Sequence, residues 1–402
     1  MSTLNDTPRA ERLHIGIFGK RNSGKSSLMN ALTGQDTAVV SDTPGTTTDP
    51  VYKNIEIPGI GPCVLIDTAG FDDVGELGKL RVKGTRLAAE KTDVAIVLFT
   101  EDDMKAEGKW VRHFRSSKIP VIPVVNRSDV LPKDGTALAA RVGALTGQKP
   151  INVSAQTGAG LEELFDMLLA HLPDDYEQKT ITDNLANEGD TVLLVMPQDI
   201  EAPKGRLILP QVQTIRELLD KKCMVISVTA DRLEAGLKAL RGAPSLIITD
   251  SQVFSEVYAK KPKKSRLTSF SVLFANYKGD INYFTESANV LDTLGKNARI
   301  LIAEACTHKP LHEDIGRVKL PKLLKKKLGS KITIDYCNGQ DFPDNITDYD
   351  LIIHCGSCMF NRRFVISRVS RAKEQGVPMT NYGVVLAKLA GIIDKIDIPG
   401  VN

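Results

Sequence analysis

Leu13-His14-Ile15-Gly16-Ile17-Phe18-Gly19-Lys20-Arg21-Asn22-Ser23-Gly24-Lys25-Ser26-Ser27-Leu28-Met29-Asn30-Ala31-Leu32 decides the fold of the N-terminal third. The first six residues read as a buried strand. Gly19 to Ser26 then follow the pattern G-x-x-x-x-G-K-S, and the remainder is helical in pattern, the strand–loop–helix context a phosphate-binding loop requires. Glycines in such a loop let backbone N–H groups approach phosphates at the positive end of the helix. Lys25 is expected to reach the β- and γ-phosphates and Ser26 to offer its hydroxyl to Mg²⁺, with Asn22, Ser23, Gly24 and Ser27 along the same loop.

The loop alone leaves ATP and GTP open, and the sequence downstream closes the question. Val64-Leu65-Ile66 runs into Asp67-Thr68-Ala69-Gly70, which places a carboxylate for the metal shell and a glycine beside the γ-phosphate. Val121 to Val125 lead into Asn126-Arg127-Ser128-Asp129, close to the guanine-reading pattern Asn-Lys-x-Asp, with Arg127 in place of the usual lysine. Asp129 accepts from the N1 and N2 donors of guanine, an arrangement adenine does not offer. Ile151-Asn152-Val153-Ser154-Ala155-Gln156 supplies the last motif, in which the backbone at Ser154 and Ala155 contacts guanine O6.

Pro44-Gly45-Thr46-Thr47-Thr48-Asp49 resembles the first switch of the TrmE–Era–EngA group of GTPases. The resemblance implies that Thr47 joins Mg²⁺ in the GTP state and that Asn22 attends a K⁺ ion. That cation supplies positive charge where other GTPases receive an arginine from a partner. Phe71 follows Gly70 where Ras-like switches carry a water-orienting glutamine, so slow, potassium-stimulated hydrolysis is expected. Glu76, Asp72 and Asp73 are open candidates for positioning the water.

Length and composition call for more than this one domain. The chain has 402 residues, 42% hydrophobic and 25% charged, the balance of a globular protein with several cores. A net charge of +3 argues against general nucleic-acid binding. The polar start and the absence of a long apolar run predict a cytoplasmic protein without a membrane span. After residue 174 strand and helix patterns alternate twice more. The predicted fold is therefore α/β, a P-loop GTPase domain (residues 1–174) followed by two smaller parallel-sheet domains (175–262 and 263–402). The boundary near 262 is placed on Lys260-Lys261-Pro262-Lys263-Lys264, read as a linker. The middle segment carries no clustered chemistry. A three-stranded sheet there would have exposed edges, so dimerisation is its expected role.

Leu351-Ile352-Ile353 ends in His354-Cys355-Gly356-Ser357-Cys358, and the earlier run Arg299 to Ala303 is followed by Cys306-Thr307-His308. Six cysteines in a chain of this length are no disulfide framework, and only Cys306, Cys355 and Cys358 cluster with histidine. Two strands thus deliver soft ligands at their carboxyl ends, where open α/β sheets build sites. Zinc remains open. Structural zinc, however, is commonly held by two close ligand pairs, whereas three separated thiolates suit a 4Fe–4S cluster whose fourth iron takes a weaker ligand, His308 or His354.

A Cys-x-His and a His-Cys-x-x-Cys behind a potassium-type GTPase domain and a spacer resemble the FeFe-hydrogenase maturation GTPases across essentially the full chain. The resemblance implies a homodimer carrying a 4Fe–4S cluster on Cys306, Cys355 and Cys358. It also implies a scaffold that accepts a diiron precursor from two radical-SAM maturases and passes it to apo FeFe-hydrogenase. An RNA- or ribosome-associated GTPase with structural zinc, or a GTP-dependent redox regulator, are the competing readings.

Overall fold

Strands buried on both faces read as continuous apolar runs, and such strands pair in parallel through crossover helices. The computed structural model describes residues 8–34, 50–70, 75–173, 179–197, 207–305, 315–339 and 341–400. It divides into two units, Met1–Gln178 and Lys179–Asn402.

The first unit runs β1 (Leu13–Phe18), α1 (Lys25–Thr33), β2 (Val51–Ile57), β3 (Gly61–Asp67), α2 (Gly75–Ala89), β4 (Val94–Phe99) and α3 (Lys105–Ser116). It continues with β5 (Val121–Asn126), α4 (Thr136–Thr146), β6 (Ile151–Val153) and α5 (Leu161–Ala170). Its sheet has the order β2-β3-β1-β4-β5-β6, with β2 alone antiparallel. Alternate residues of β1 and β4 feed two cores: Leu13, Ile15, Ile17, Val94, Ile96 and Leu98 enter one, and Phe18, Ala95, Val97 and Phe99 the other. Helices therefore cover both faces.

The second unit begins with β7 (Thr191–Val195), α6 (Leu209–Asp220), β8 (Met224–Val228), α7 (Leu233–Ala239), β9 (Leu246–Thr249), α8 (Phe254–Lys260), β10 (Arg266–Ser269) and α9 (Phe270–Lys278). It ends with α10 (Ile281–Ala288), β11 (Arg299–Glu304), α11 (Leu320–Leu328), β12 (Thr333–Asn338), β13 (Leu351–His354), α12 (Arg362–Glu374), β14 (Met379–Asn381) and α13 (Tyr382–Leu389). Two four-stranded parallel sheets result, ordered β10-β9-β7-β8 and β12-β11-β13-β14.

The boundary expected near residue 262 falls inside the first of these sheets. β10 pairs with β9 in the register Leu267↔Ile247, which gives that sheet a fourth strand. The lysine-rich segment is the short connection into β10, with Lys260 paired to Glu256 and Glu234 and Lys261 Nζ donating to the Ser265 carbonyl at 2.6 Å. The segment from Leu267 to Phe274 is strand only to Ser269. Ser269 then caps α9, its hydroxyl accepting from the Val272 N–H. The chain end also returns to this sheet: the Leu267 N–H donates to Asp397 Oδ2 at 2.7 Å, and the Asp397 N–H to the Leu267 carbonyl at 2.8 Å. The two small sheets thus share one body.

His14 lies buried in β1 with Nδ1 2.8 Å from the Arg12 carbonyl. Burial lowers its pKa to about 4, with Lys91, Arg12 and Arg9 adding to the effect and the Arg12 hydrogen bond opposing it. The unfolded chain therefore takes up a proton, at an ordinary pKa near 6.5, that the folded chain refuses. Stability linked to His14 is complete above pH 6.5 and is lost as pH falls toward 4. Urea unfolding at pH 7.5 and at pH 4 is expected to show wild type losing on the order of 3 kcal/mol more than His14→Gln across this interval.

Candidate functional sites

In the first unit the strand order puts the phosphate loop, Asp67, Asn126 and Ser154 on one edge. β1 and β3 are neighbours in the register Ile17↔Asp67, so the loop after β1 and the carboxylate ending β3 emerge side by side. β5 and β6 pair as Asn126↔Val153, which sets the Asn126–Asp129 segment beside Ser154 and Ala155.

Gly24 caps α1 with φ 86°, a left-handed conformation that favours glycine, and a Cβ there would lie 2.4 Å from Asn126 Nδ2. Asn126 Nδ2 donates to the Ser23 carbonyl at 2.8 Å, a bond between the guanine segment and the phosphate loop. Lys25 Nζ donates to the carbonyls of Gly19 (3.1 Å) and Lys20 (2.7 Å), which keeps it over the loop. Ser26 Oγ donates to Asp67 Oδ2 at 2.6 Å, while Asp67 Oδ1 is buried without a hydrogen-bond partner. Burial raises the Asp67 pKa, against the pull of Ser26, Lys25 and Lys53. A hydroxyl beside a carboxylate with a buried free oxygen is the donor set a hard divalent cation takes, so Ser26 and Asp67 fit Mg²⁺.

Gly70 packs on the phosphate loop, where a Cβ would meet the Arg21 backbone nitrogen at 2.7 Å. Asn22 has φ 60° and is exposed at the loop's turn. Asp129 and Arg127 are exposed at the rim. Ser154 is buried, and its hydroxyl accepts from the Thr157 N–H at 3.2 Å, which shapes the turn that presents Ala155. Ser27 is half-buried in the first turn of α1. Thr47, Phe71, Asp72 and Asp73 lie outside the described residues, as does the side chain of Glu76.

In the second unit β11 and β13 are adjacent parallel strands in the register Ala303↔His354. Their ends meet where Cys355 begins: the Cys355 N–H donates to the Ala303 carbonyl at 2.9 Å, and the Ala305 N–H donates to Cys355 Sγ at 3.1 Å. Ala305 directly precedes Cys306, and both Cys306 and His308 lie outside the described residues. Cys355 and Cys358 are half-buried and lie outside any disulfide. Among the described residues no group of three His, Cys, Asp or Glu is placed to hold a metal ion. A backbone N–H aimed at sulfur favours thiolate over thiol, so this strand end suits a thiolate-ligated centre.

His354 is 1% exposed and both ring nitrogens are engaged. Arg368 Nη1 lies 3.0 Å from Nε2, and a guanidinium only donates, so Nε2 holds the lone pair. Nδ1 then carries the hydrogen and donates to the Cys355 carbonyl at 2.7 Å, with Ser357 Oγ at 3.4 Å. Arg368 is itself 1% exposed, donates to the Gly339 carbonyl at 2.6 Å, and stacks over the rings of Phe364 and Phe342.

Two residues here escaped the sequence reading, Arg368 and Lys278. Each sits on an otherwise apolar helix face, Arg368 among Phe364, Val365 and Val369, and Lys278 at the end of Val272-Leu273-Phe274-Ala275. That misplacement was the only signal. Cys63, Cys223 and Cys337 are buried, and burial raises their thiol pKa values, to about 12 for Cys63 and about 11 for Cys337.

The parallel sheet, phosphate loop, metal-shell carboxylate and guanine segment define the first unit as a P-loop GTPase domain, and residues 14–127 match the family model of the 50S ribosome-binding GTPases. Residues 181–279 match the hydrogen maturase F dimerization domain and residues 282–397 the hydrogen maturase F tetramerization domain. These two models together span more than half of the sequence, and the chain belongs to the hydrogen maturase F family. Among curated proteins, the tRNA modification GTPase MnmE of Endomicrobium trichonymphae is 36% identical over 167 residues, 39% of this chain and 35% of that protein. MnmE of Salinibacter ruber is 32% identical over 268 residues, 64% of this chain and 54% of its own length. The chain spans about a third of the length of most such relatives. Among solved structures, an Aquifex aeolicus Era variant bound to GDP and aluminium fluoride aligns over 56% of this chain and 97% of its own, at 19% identity and a TM-score of 0.37.

If Asp129 accepts from the guanine N1 and N2 hydrogens as its motif implies, Asp129→Asn replaces that acceptor with a mixed donor and acceptor. Titration calorimetry is expected to show GTP affinity falling by roughly tenfold or more, with XTP, whose C2 carries a carbonyl, bound better than by wild type.

Proposed function

We propose that this protein is a slow GTPase that serves as a scaffold in FeFe-hydrogenase maturation. It holds a 4Fe–4S cluster on Cys306, Cys355 and Cys358, receives a diiron precursor from two radical-SAM maturases and delivers it to apo FeFe-hydrogenase. The observation that carries the reading is the meeting of β11 and β13, where the Ala305 N–H bonds Cys355 Sγ one residue before Cys306. Membership of the hydrogen maturase F family supports the cargo.

In the GTPase domain Lys25 neutralises phosphate charge, Ser26, Asp67 and Thr47 hold Mg²⁺, and Asn22 attends K⁺. Asn126 ties base recognition to the phosphate loop through Ser23. In the cluster domain three thiolates leave one iron with an exchangeable position, which is the chemistry the cluster supplies to incoming cargo. His354 has its lone pair turned to Arg368, which supports His308 over His354 as the histidine for that position. Dimerisation runs through β8, one of the two edge strands of its sheet, where Met224 is 59% exposed.

Two measurements test this. Protein purified without oxygen is expected to contain iron and sulfide and to give a 4Fe–4S EPR signal on reduction. Cys355→Ser and Cys358→Ser should each lose most of it, and zinc without iron in the wild type would sink the proposal. GTP turnover is expected to be several-fold faster in potassium than in sodium buffer, and equal rates would remove Asn22 and K⁺ from the account.

A further inference from the structure

Lys278 ends α9 and is 2% exposed, yet its ammonium does not reach solvent. Nζ lies 3.1 Å from the Ser357 carbonyl, 3.2 Å from that of Cys358 and 2.8 Å from that of Phe360. An ammonium has three hydrogens, and three carbonyls of one short loop receive them. The loop needs such a hold. Ser357 has φ 48°, a left-handed conformation that costs a non-glycine residue of order 1 kcal/mol or more. At the far end the loop is fixed by Asn361, whose side chain caps α12 at the Phe364 N–H, and by the Phe360 ring stacked 4.2 Å from Phe364. Between Cys355 and Phe360 the Lys278 bonds add to the Phe360 N–H bond to the Ser357 carbonyl at 3.0 Å.

These carbonyls accept hydrogen bonds and carry no formal negative charge, and a nearby anion stabilises positive charge buried in this way. Arg368 buries a second cation one strand end away, against His354. Both cations sit beside the cysteines. A centre ligated by thiolates is anionic, and nearby positive charge stabilises its reduced, more negative state. Lys278 lies in the segment that matches the dimerization domain, and the loop it grips lies in the segment that matches the tetramerization domain.

We propose that Lys278 is the positioning residue of the Cys355–Cys358 loop, a buried cation delivered by the dimerisation sheet through β10 and α9 that orients both thiolates and raises the reduction potential of the cluster they hold. The redox half rests on the cluster reading above, while the positioning half stands on the protein alone.

The test uses the full chain, prepared without oxygen as wild type, Lys278→Met and Lys278→Arg. In cluster-free protein, iodoacetamide labelling read by peptide mass spectrometry is expected to modify Cys355 and Cys358 roughly tenfold faster in K278M, from the loss of charge-assisted hydrogen bonds. Cys63, Cys223 and Cys337 should stay slow, and K278R should move the rates back toward wild type. After reconstitution with iron and sulfide, K278M is expected to hold a cluster of lower reduction potential and altered EPR line shape, and K278R to restore both. Equal labelling of Cys355 and Cys358 in wild type and K278M overturns the positioning role, and so does equal acceleration at Cys63, Cys223 and Cys337, which would mark general unfolding. Unchanged potential and EPR spectrum in iron-replete K278M overturn the redox half. A wild type that takes up no iron defeats the cluster reading instead, and the labelling comparison still decides on Lys278.

Discussion

A strand buried on both faces must find its partners by sending the chain back over the sheet through a helix, so successive strands point the same way and their carboxyl ends gather on one edge. Every chemically active segment described here stands on such an edge. In the first unit β1, β3, β5 and β6 deliver the phosphate loop, Asp67, Asn126 and Ser154 together. In the second, β11 and β13 bring Ala305 and Cys355 into contact although they are far apart in sequence. The apolar residues that fill the cores therefore also fix where the polar ones converge.

Charge buried on these edges is organised in two opposite ways. Asp67 is a carboxylate whose pKa burial raises, and its orphaned Oδ1 marks a place for a cation. Lys278 and Arg368 are cations held by carbonyls and an imidazole, and they mark a place for an anion. Desolvation makes each arrangement costly alone and makes the matching ligand bind into a field already set. The same reasoning separates His354 from a ligand role. A nitrogen accepting from a guanidinium cannot donate its lone pair to a metal without breaking that bond.

The sequence made the active motifs legible because each is local: the residues from Gly19 to Ser26 follow one another, and Asp67 and Asn126 end recognisable apolar runs. The alternation of strand and helix likewise announced the α/β class. What stayed hidden depends on distant pairing. Lys260 to Lys264 looked like a linker because proline among lysines suits one, yet Leu267 beyond it returns to Ile247 as a fourth strand. Arg368 reaches His354 from the next helix, and Lys278 reaches the loop at Ser357 across 79 residues. No short window holds both partners of either contact. A charged residue on an apolar helix face was the only local trace, and by itself it does not say what the charge touches.

That hidden pairing changes how the second unit works as a machine. Had the chain been jointed at residue 262, the dimerisation sheet and the cysteine loop could move independently. Instead β10 pairs within the dimerisation sheet and passes through Ser269 directly into α9, whose last residue grips the loop, with no intervening turn to absorb motion. Asp397 pins the chain end back onto Leu267 of the same strand, closing the body from the other side. A rearrangement at the dimer edge must then either distort β10 and α9 or carry the Cys355–Cys358 loop with them. Because packed elements shift as units more readily than they deform, the second course is the cheaper one. Cys355 and Cys358 are therefore expected to follow the sheet of β7 to β10 as one piece.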